Sequence, residues 1–185
     1  MMSKTSGTTG SRRTKARYLT ETAALTALLI VLQAVTKPAG QYVTGACVNA
    51  VLAVSALVVG LWSGVAAAVL SPVFAFLLGI GPQVPQVVPA IMAGNLVFVV
   101  LLALLEGGAA SPLWRRSAAW LASAAAKFGA LYLLVVKLLC AVVPLKEPQA
   151  AMLTAMFSYP QLATALAGGA VALMLAPPLR RALKR

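Results

Sequence analysis

From Leu19 onward the chain is a succession of apolar stretches broken by short polar, glycine- or proline-rich segments. From Pro38 to Leu105 there is no Lys, Arg, Asp or Glu. One bilayer crossing takes about 20 residues, so this run alone holds roughly three crossings with their turns. Nothing in it alternates with the period of two that a lipid-facing barrel strand requires, and helices are therefore predicted. Six spans follow: Leu19 to Thr36, Ala46 to Val59, Val65 to Leu78, Val88 to Leu105, Ala118 to Val143 and Ala150 to Leu175. Pro72 falls inside the third and Pro160 near the middle of the sixth, while Pro177-Pro178 is expected to stop the sixth. The fifth is long enough to tilt. Between them, Gly40 to Gly45 reads as a loop and Gly60 to Gly64 as a tight turn that sets Trp62 at an interface. Gly79 to Pro89 is too rich in Gly and Pro for regular helix, Glu106 to Arg116 is a polar loop, and Pro144 to Pro148 a short one. The expected organisation is a disordered basic tail (residues 1–17), a six-helix membrane domain (18–176) and a basic tail (177–185).

Composition supports lipid as the solvent. The chain is 61% hydrophobic and 10% charged, against about 25% charged in an ordinary soluble domain. Charge then orients the spans. With six crossings, Lys4, Arg12, Arg13, Lys15, Arg17, Arg115, Arg116, Arg180, Arg181, Lys184 and Arg185 fall on one side, and Lys37 and Lys146 on the other. The positive-inside bias then predicts cytoplasmic N- and C-termini of a multi-pass protein in the cell membrane. An odd count would export the basic C-terminal tail. The formal net charge of +12 is thus a signature of orientation, and no nucleic-acid partner is expected. The polar start is not read as a cleavable signal. The two halves do not resemble each other, which weighs against inverted-repeat carriers.

The catalytic inventory is thin. There is no His, and the only acids, Glu21, Glu106 and Glu147, lie near predicted span ends. A His-based triad, a His metal site, a paired-carboxylate mechanism and a phosphate loop are all missing, so neither catalysis nor a metal or cofactor is predicted. Cys47 and Cys140 read as small buried hydrophobes.

Polar residues inside the spans are more informative, because such groups are expensive in lipid and face a cavity or a partner. Asn95, Lys127, Lys137, Ser158, Tyr159 and Gln161 interrupt apolar helices, with Gln33 and Asn49 nearer the outer face. Two readings stand: ligand contacts, or interhelical glue with Asn95 and Gln161 bonded to each other. Pro160 removes the helix partner of the Met156 carbonyl and leaves an acceptor at that depth. Lys137 is close enough to its helix end to snorkel. Lys127 is about 15 Å from Ser117, too deep for that, and no acid reaches its depth. It is either neutral or matched by an anionic substrate. The outer loops add Gln41, Tyr42 and Thr44, and Gln83 and Gln86, while Tyr132 is a further aromatic candidate. Two small-residue stripes, Ala23/Ala27 and Ala118/Ala122/Ala126/Ala130, permit close helix approach within the chain or to another protein.

Several features together resemble the substrate-binding S component of an energy-coupling factor (ECF) transporter. They are the basic start, Ala23-x-x-x-Ala27 in the first helix, Val48-Asn49-Ala50, Val59-Gly-Leu-Trp-Ser-Gly64, the Gly/Pro loop after the third span, Gly94-Asn95, and Ser158-Tyr-Pro-Gln161. The resemblance implies a bacterial cytoplasmic-membrane subunit that captures a vitamin or related micronutrient from outside. It implies docking through Ala23 and Ala27 on a transmembrane T component coupled to two cytosolic ATPases. It also implies an outer-half pocket with a mobile lid near Lys37 to Gly45, and toppling in the membrane to release cargo. The candidate ligand residues are Gln33, Tyr42, Asn49, Gln86, Asn95, Lys127, Tyr132, Lys137, Tyr159 and Gln161. Competing readings are a small stand-alone carrier or channel and a non-transporting assembly subunit. A membrane enzyme is opposed by the missing catalytic groups.

Overall fold

The computed structural model describes residues 6–108 and 110–183, apart from the side chains of residues 6–13, and among these it is helical with no strand. Helix α1 spans Ser6–Thr36, followed by a 3-10 turn at Lys37–Ala39. Helix α2 spans Gln41–Val54 and continues as a π-helical segment, Ser55–Val59. Helix α3 is Leu61–Leu77 and α4 is Val87–Glu106. Helix α5, Leu113–Leu131, runs through a π-helical segment, Tyr132–Leu139, into the short α6, Cys140–Val142. Helix α7 is Glu147–Met156 and α8 is Tyr159–Ala182. Five of the resulting helical stretches are long and apolar enough to cross a membrane, and α3 is a shorter apolar helix.

The helices replace several expected breaks. Residues 6–17, read as a tail, extend α1, and residues 1–5 lie outside the described residues. The Gly40–Gly45 loop contracts to a bend at Gly40, because nothing after it prevents α2 from starting at Gln41. The expected Gly60–Gly64 turn is a single residue: Gly60 has φ 137°, which a side chain would resist, and α3 starts directly after it. Pro177-Pro178 does not end α8, which reaches Ala182. The prolines remove two helix hydrogen bonds, but Arg180 just beyond them is anchored to other helices. Conversely, the sixth span breaks at Phe157-Ser158, immediately before Pro160. Cys47 and Cys140 are free and half-buried.

Small residues set the packing. Helices α2 and α8 make the most extensive pairing, followed by α4 with α5. A Cβ on Gly168 would strike the Ala46 carbonyl and lie 2.6 Å from the Ala50 nitrogen, so α8 lies directly on the α2 backbone. A Cβ on Gly94 would lie 2.5 Å from Leu131 Cγ, which brings α4 equally close to α5. In lipid such approach is the main source of helix association. Gly168→Val should therefore overpack the α2–α8 seam and destabilise the fold by about 1–3 kcal/mol. A lowered thermal unfolding midpoint in detergent would report it, and an unchanged midpoint would refute the seam.

Two apolar cores result. The larger joins Leu29, Leu52, Phe98, Val99, Leu102 and Ala172 among others. The smaller joins Val84, Val87, Leu131, Val135, Leu139, Leu153 and Phe157. At the far end of the larger core lies a charge cluster that closes the bundle. Glu106, at the end of α4, is buried and accepts from Arg116 Nε at 3.2 Å and from Arg180 Nη1 and Nη2 at 3.0 and 3.1 Å. Arg180 also donates to the Leu57 carbonyl at 2.9 and 2.6 Å, inside the π-helical segment that Gly60 interrupts. Nearby, Arg17 donates to the Leu183 carbonyl at 2.8 Å, so the beginning of the membrane-length part of α1 and the end of α8 meet at this basic end.

Candidate functional site

At the opposite end from the arginines the helices part around a cavity of about 230 Å³. Its floor is built from α2, α4 and α5. Lys127 of α5 is 2% exposed and donates to Asn49 Oδ1 of α2 at 2.5 Å and Asn95 Oδ1 of α4 at 2.7 Å. Both amides are oriented by their own donors. Asn49 Nδ2 donates to the Gly45 carbonyl at 2.9 Å and to Thr164 Oγ1 at 3.3 Å, and Asn95 Nδ2 reaches the Ala68 carbonyl at 3.5 Å. With the NH₂ groups committed, the oxygens converge on Lys127 Nζ. The close approach at Gly94 sets α4 on α5, and Gly168 and Gly169 set α8 against α2 and against Trp120 of α5, which brings the three helices into range. The Phe98 ring lies 5.5 Å from Lys127 Nζ and adds its π face.

The walls carry a second polar group. Gln33 of α1 is 5% exposed and donates from Nε2 to Ser71 Oγ at 3.1 Å, while its Oε1 has no partner. Both residues line the cavity. Pro160 frees the Met156 carbonyl as expected, and that carbonyl accepts from Gln41 Nε2 at 2.6 Å and Gln161 Nε2 at 3.2 Å. Across the mouth, Lys37 Nζ donates to the Gly79 carbonyl at 2.8 Å and ties the α1–α2 connection to the α3–α4 loop. Among the described residues, Lys37 and Lys127 are the only charged ones in the lining, which contains no Asp or Glu.

No known protein family, curated protein or solved structure matches the chain.

Of the residues singled out from sequence, Gln33, Asn49, Asn95, Lys127 and Gln161 line this one cavity. The other five do not. Tyr42 and Tyr159 are largely exposed, Gln86 and Lys137 are exposed, and Tyr132 packs against the Phe128 ring. The reason is helical phase. On the π-widened part of α5, Val135 and Leu139 turn inward to the smaller core, which turns Lys137 out beside the Tyr132 ring at 5.7 Å. Asn95 and Gln161 are not bonded to each other, because Lys127 takes the oxygen of one and the Met156 carbonyl takes the amine of the other. Gln41 and Thr44 of the outer-loop candidates and Lys37 of the expected lid line it as well, and so does Ser71, which the sequence reading did not single out. Ser71 carried a usable signal: it is a hydroxyl beside Pro72 in an apolar helix. Ala23 and Ala27 are exposed on the outward face of α1, and Ala118 and Ala122 on that of α5.

The arrangement can hold a solute but offers no route across. Beyond Asn95 and Asn49 on the way to the basic end, α4 and α2 present Phe98, Val99, Leu102, Leu52 and Ala53, all fully buried. The cavity is therefore closed at its floor by apolar packing.

Proposed function

We propose that this protein is the substrate-capturing subunit of an importer in a bacterial cytoplasmic membrane, similar in kind to the S component of an ECF transporter. On this reading the chain crosses the membrane six times, with both termini and the arginine cluster in the cytoplasm and the cavity facing outward. The cavity takes a vitamin-type micronutrient or precursor with an anionic head, which Lys127 binds. A T component and two cytosolic ATPases drive delivery.

The observation that carries the reading is the buried amine of Lys127, held by two amide oxygens at the floor of a cavity lined, among the described residues, by two lysines and no acid. An ammonium at that depth without a carboxylate is costly, and an anion from outside the chain would complete it. The apolar closure beneath the floor favours capture over a stand-alone channel, which needs a continuous polar path. The basic end collects Arg17, Arg115, Arg116 and Arg180, in keeping with the positive-inside bias. The exposed Ala23 and Ala27 on α1 leave a flat, small-residue face to which a partner helix could approach closely.

The test is purification from the native host under gentle conditions, with mass spectrometry of retained small molecules and associated proteins. Wild-type protein is expected to carry an acidic small molecule and to copurify with a membrane subunit and ATPases. Ala23→Trp and Ala27→Trp should lose the proteins while keeping the small molecule. Retained assembly in both variants would remove the docking face. Absence of any ATPase partner from the wild type would remove the importer reading.

A further inference from the structure

The cavity presents more than a cation. Its second wall holds Gln33, a buried side chain whose amide is half used: Nε2 donates to Ser71 Oγ at 3.1 Å and Oε1 is without a partner. If the amide is turned over, Ser71 satisfies the oxygen and an N–H is left open instead, so either assignment leaves one polar group of Gln33 unsatisfied. A buried polar group in this state is destabilising, and a ligand group bonded to it would recover that cost. Around these two points the lining is mixed: Val48, Ala75, Ile80 and Ile91 are aliphatic and Phe157 is aromatic, while the polar Lys37, Gln41, Thr44 and Gln161 already donate to carbonyls of the chain itself. Size is limited too. An apolar cavity of about 150 Å³ holds one benzene ring. By the same measure a cavity of about 230 Å³ takes roughly ten non-hydrogen atoms.

We propose that the ligand is a compact, mainly aliphatic acid carrying one further hydrogen-bonding group, with its carboxylate or phosphate on Lys127 and that second group on Gln33. Gln33 is thereby the residue that sets specificity among acids. This rests on the reading of the cavity as an anion-binding pocket and narrows it. Large planar ligands and dinucleotides are excluded by volume, and unsubstituted fatty acids are discriminated against because they leave Gln33 unpaired.

The experiment uses the full-length protein in nanodiscs and calorimetric titration with three series of three to eight carbons: ω-hydroxy carboxylates, the matching unsubstituted carboxylates, and the matching diols. Both acid series are expected to bind better than the diols. At one or two chain lengths the hydroxy acid should bind about tenfold tighter than its unsubstituted partner. Gln33→Leu should bring that ratio to near unity by weakening the hydroxy acid alone. Gln33→Glu, which is isosteric and guards against a folding defect in the leucine variant, should weaken both acid series at least about tenfold by placing a like charge in the cavity. Acids that bind with no preference for the hydroxyl at any length, or a preference that survives Gln33→Leu, overturn the role of Gln33 and leave the anion pocket standing. Acids that bind no better than the diols overturn the anion pocket itself and this inference with it.

Discussion

Lys127→Met is expected to weaken an anionic ligand by about 2–5 kcal/mol, a loss of roughly thirtyfold to several-thousandfold in affinity. The magnitude follows from depth. Lys127 is 2% exposed and its neighbours are amides and a phenyl ring, so water screens its field poorly. Stability should move much less. Removing the ammonium leaves Asn49 Oδ1 and Asn95 Oδ1 without a donor, at about 1–3 kcal/mol each. It also removes the desolvation penalty of a buried charge, which is itself several kcal/mol. The two effects oppose. Binding lost with the unfolding midpoint nearly kept is thus the expected outcome, read by titration and thermal melts on the same preparation. Lys137→Met serves as the contrast, since Lys137 is exposed and its affinity effect should be negligible. Unchanged affinity in Lys127→Met would leave the three-helix junction as structure alone.

Glu106→Ala is expected to do the reverse, destabilising the fold by about 3–5 kcal/mol. Glu106 is the single acid between Arg116 and Arg180, whose side chains are 11% and 12% exposed against its own 3%. Without it two guanidinium groups face each other in a poorly hydrated junction. Arg180 would keep only the Leu57 carbonyl, and Arg116 already has one buried nitrogen without a partner. Because Arg180 sits beyond Pro177-Pro178, its release should also let the end of α8 fray. A large drop in the unfolding midpoint, with ligand affinity retained at low temperature, is the expected signature. A midpoint equal to wild type would mean that the cluster is no more than a surface ion pair, which contributes little.

These two sites differ in how far the sequence announced them. Lys127 and Asn95 stand out because each is a strongly polar residue deep in an apolar helix, and depth alone marks Lys127 as lacking an acid partner. That Asn49, on a third helix, supplies the second oxygen depends on the packing of α8 against both α2 and α5 at Gly168 and Gly169, which no local pattern encodes. Glu106 reads from sequence only as an acid near a span end that opens a polar loop with Gly107-Gly108. Its burial arises only when α5 and α8 each return an arginine to it. The irregular loop after α3 and the freed Met156 carbonyl were legible, since Pro and Gly act locally. Helix ends and rotation were less so. The π-helical stretch Tyr132–Leu139 shifts the phase of everything after Leu131, and the candidates Tyr132 and Lys137 there do not line the cavity. Nor could periodicity foresee that α2 begins at Gln41, where it turns the Gln41 side chain into the cavity mouth.

The fully buried Phe98, Val99, Leu102 and Leu52 beneath the lysine carry one last consequence. A vessel with a sealed bottom has a single doorway, so whatever fills it must leave by the same opening. On the importer reading proposed above, the doorway itself has to be carried to the opposite shore for cargo to end up there.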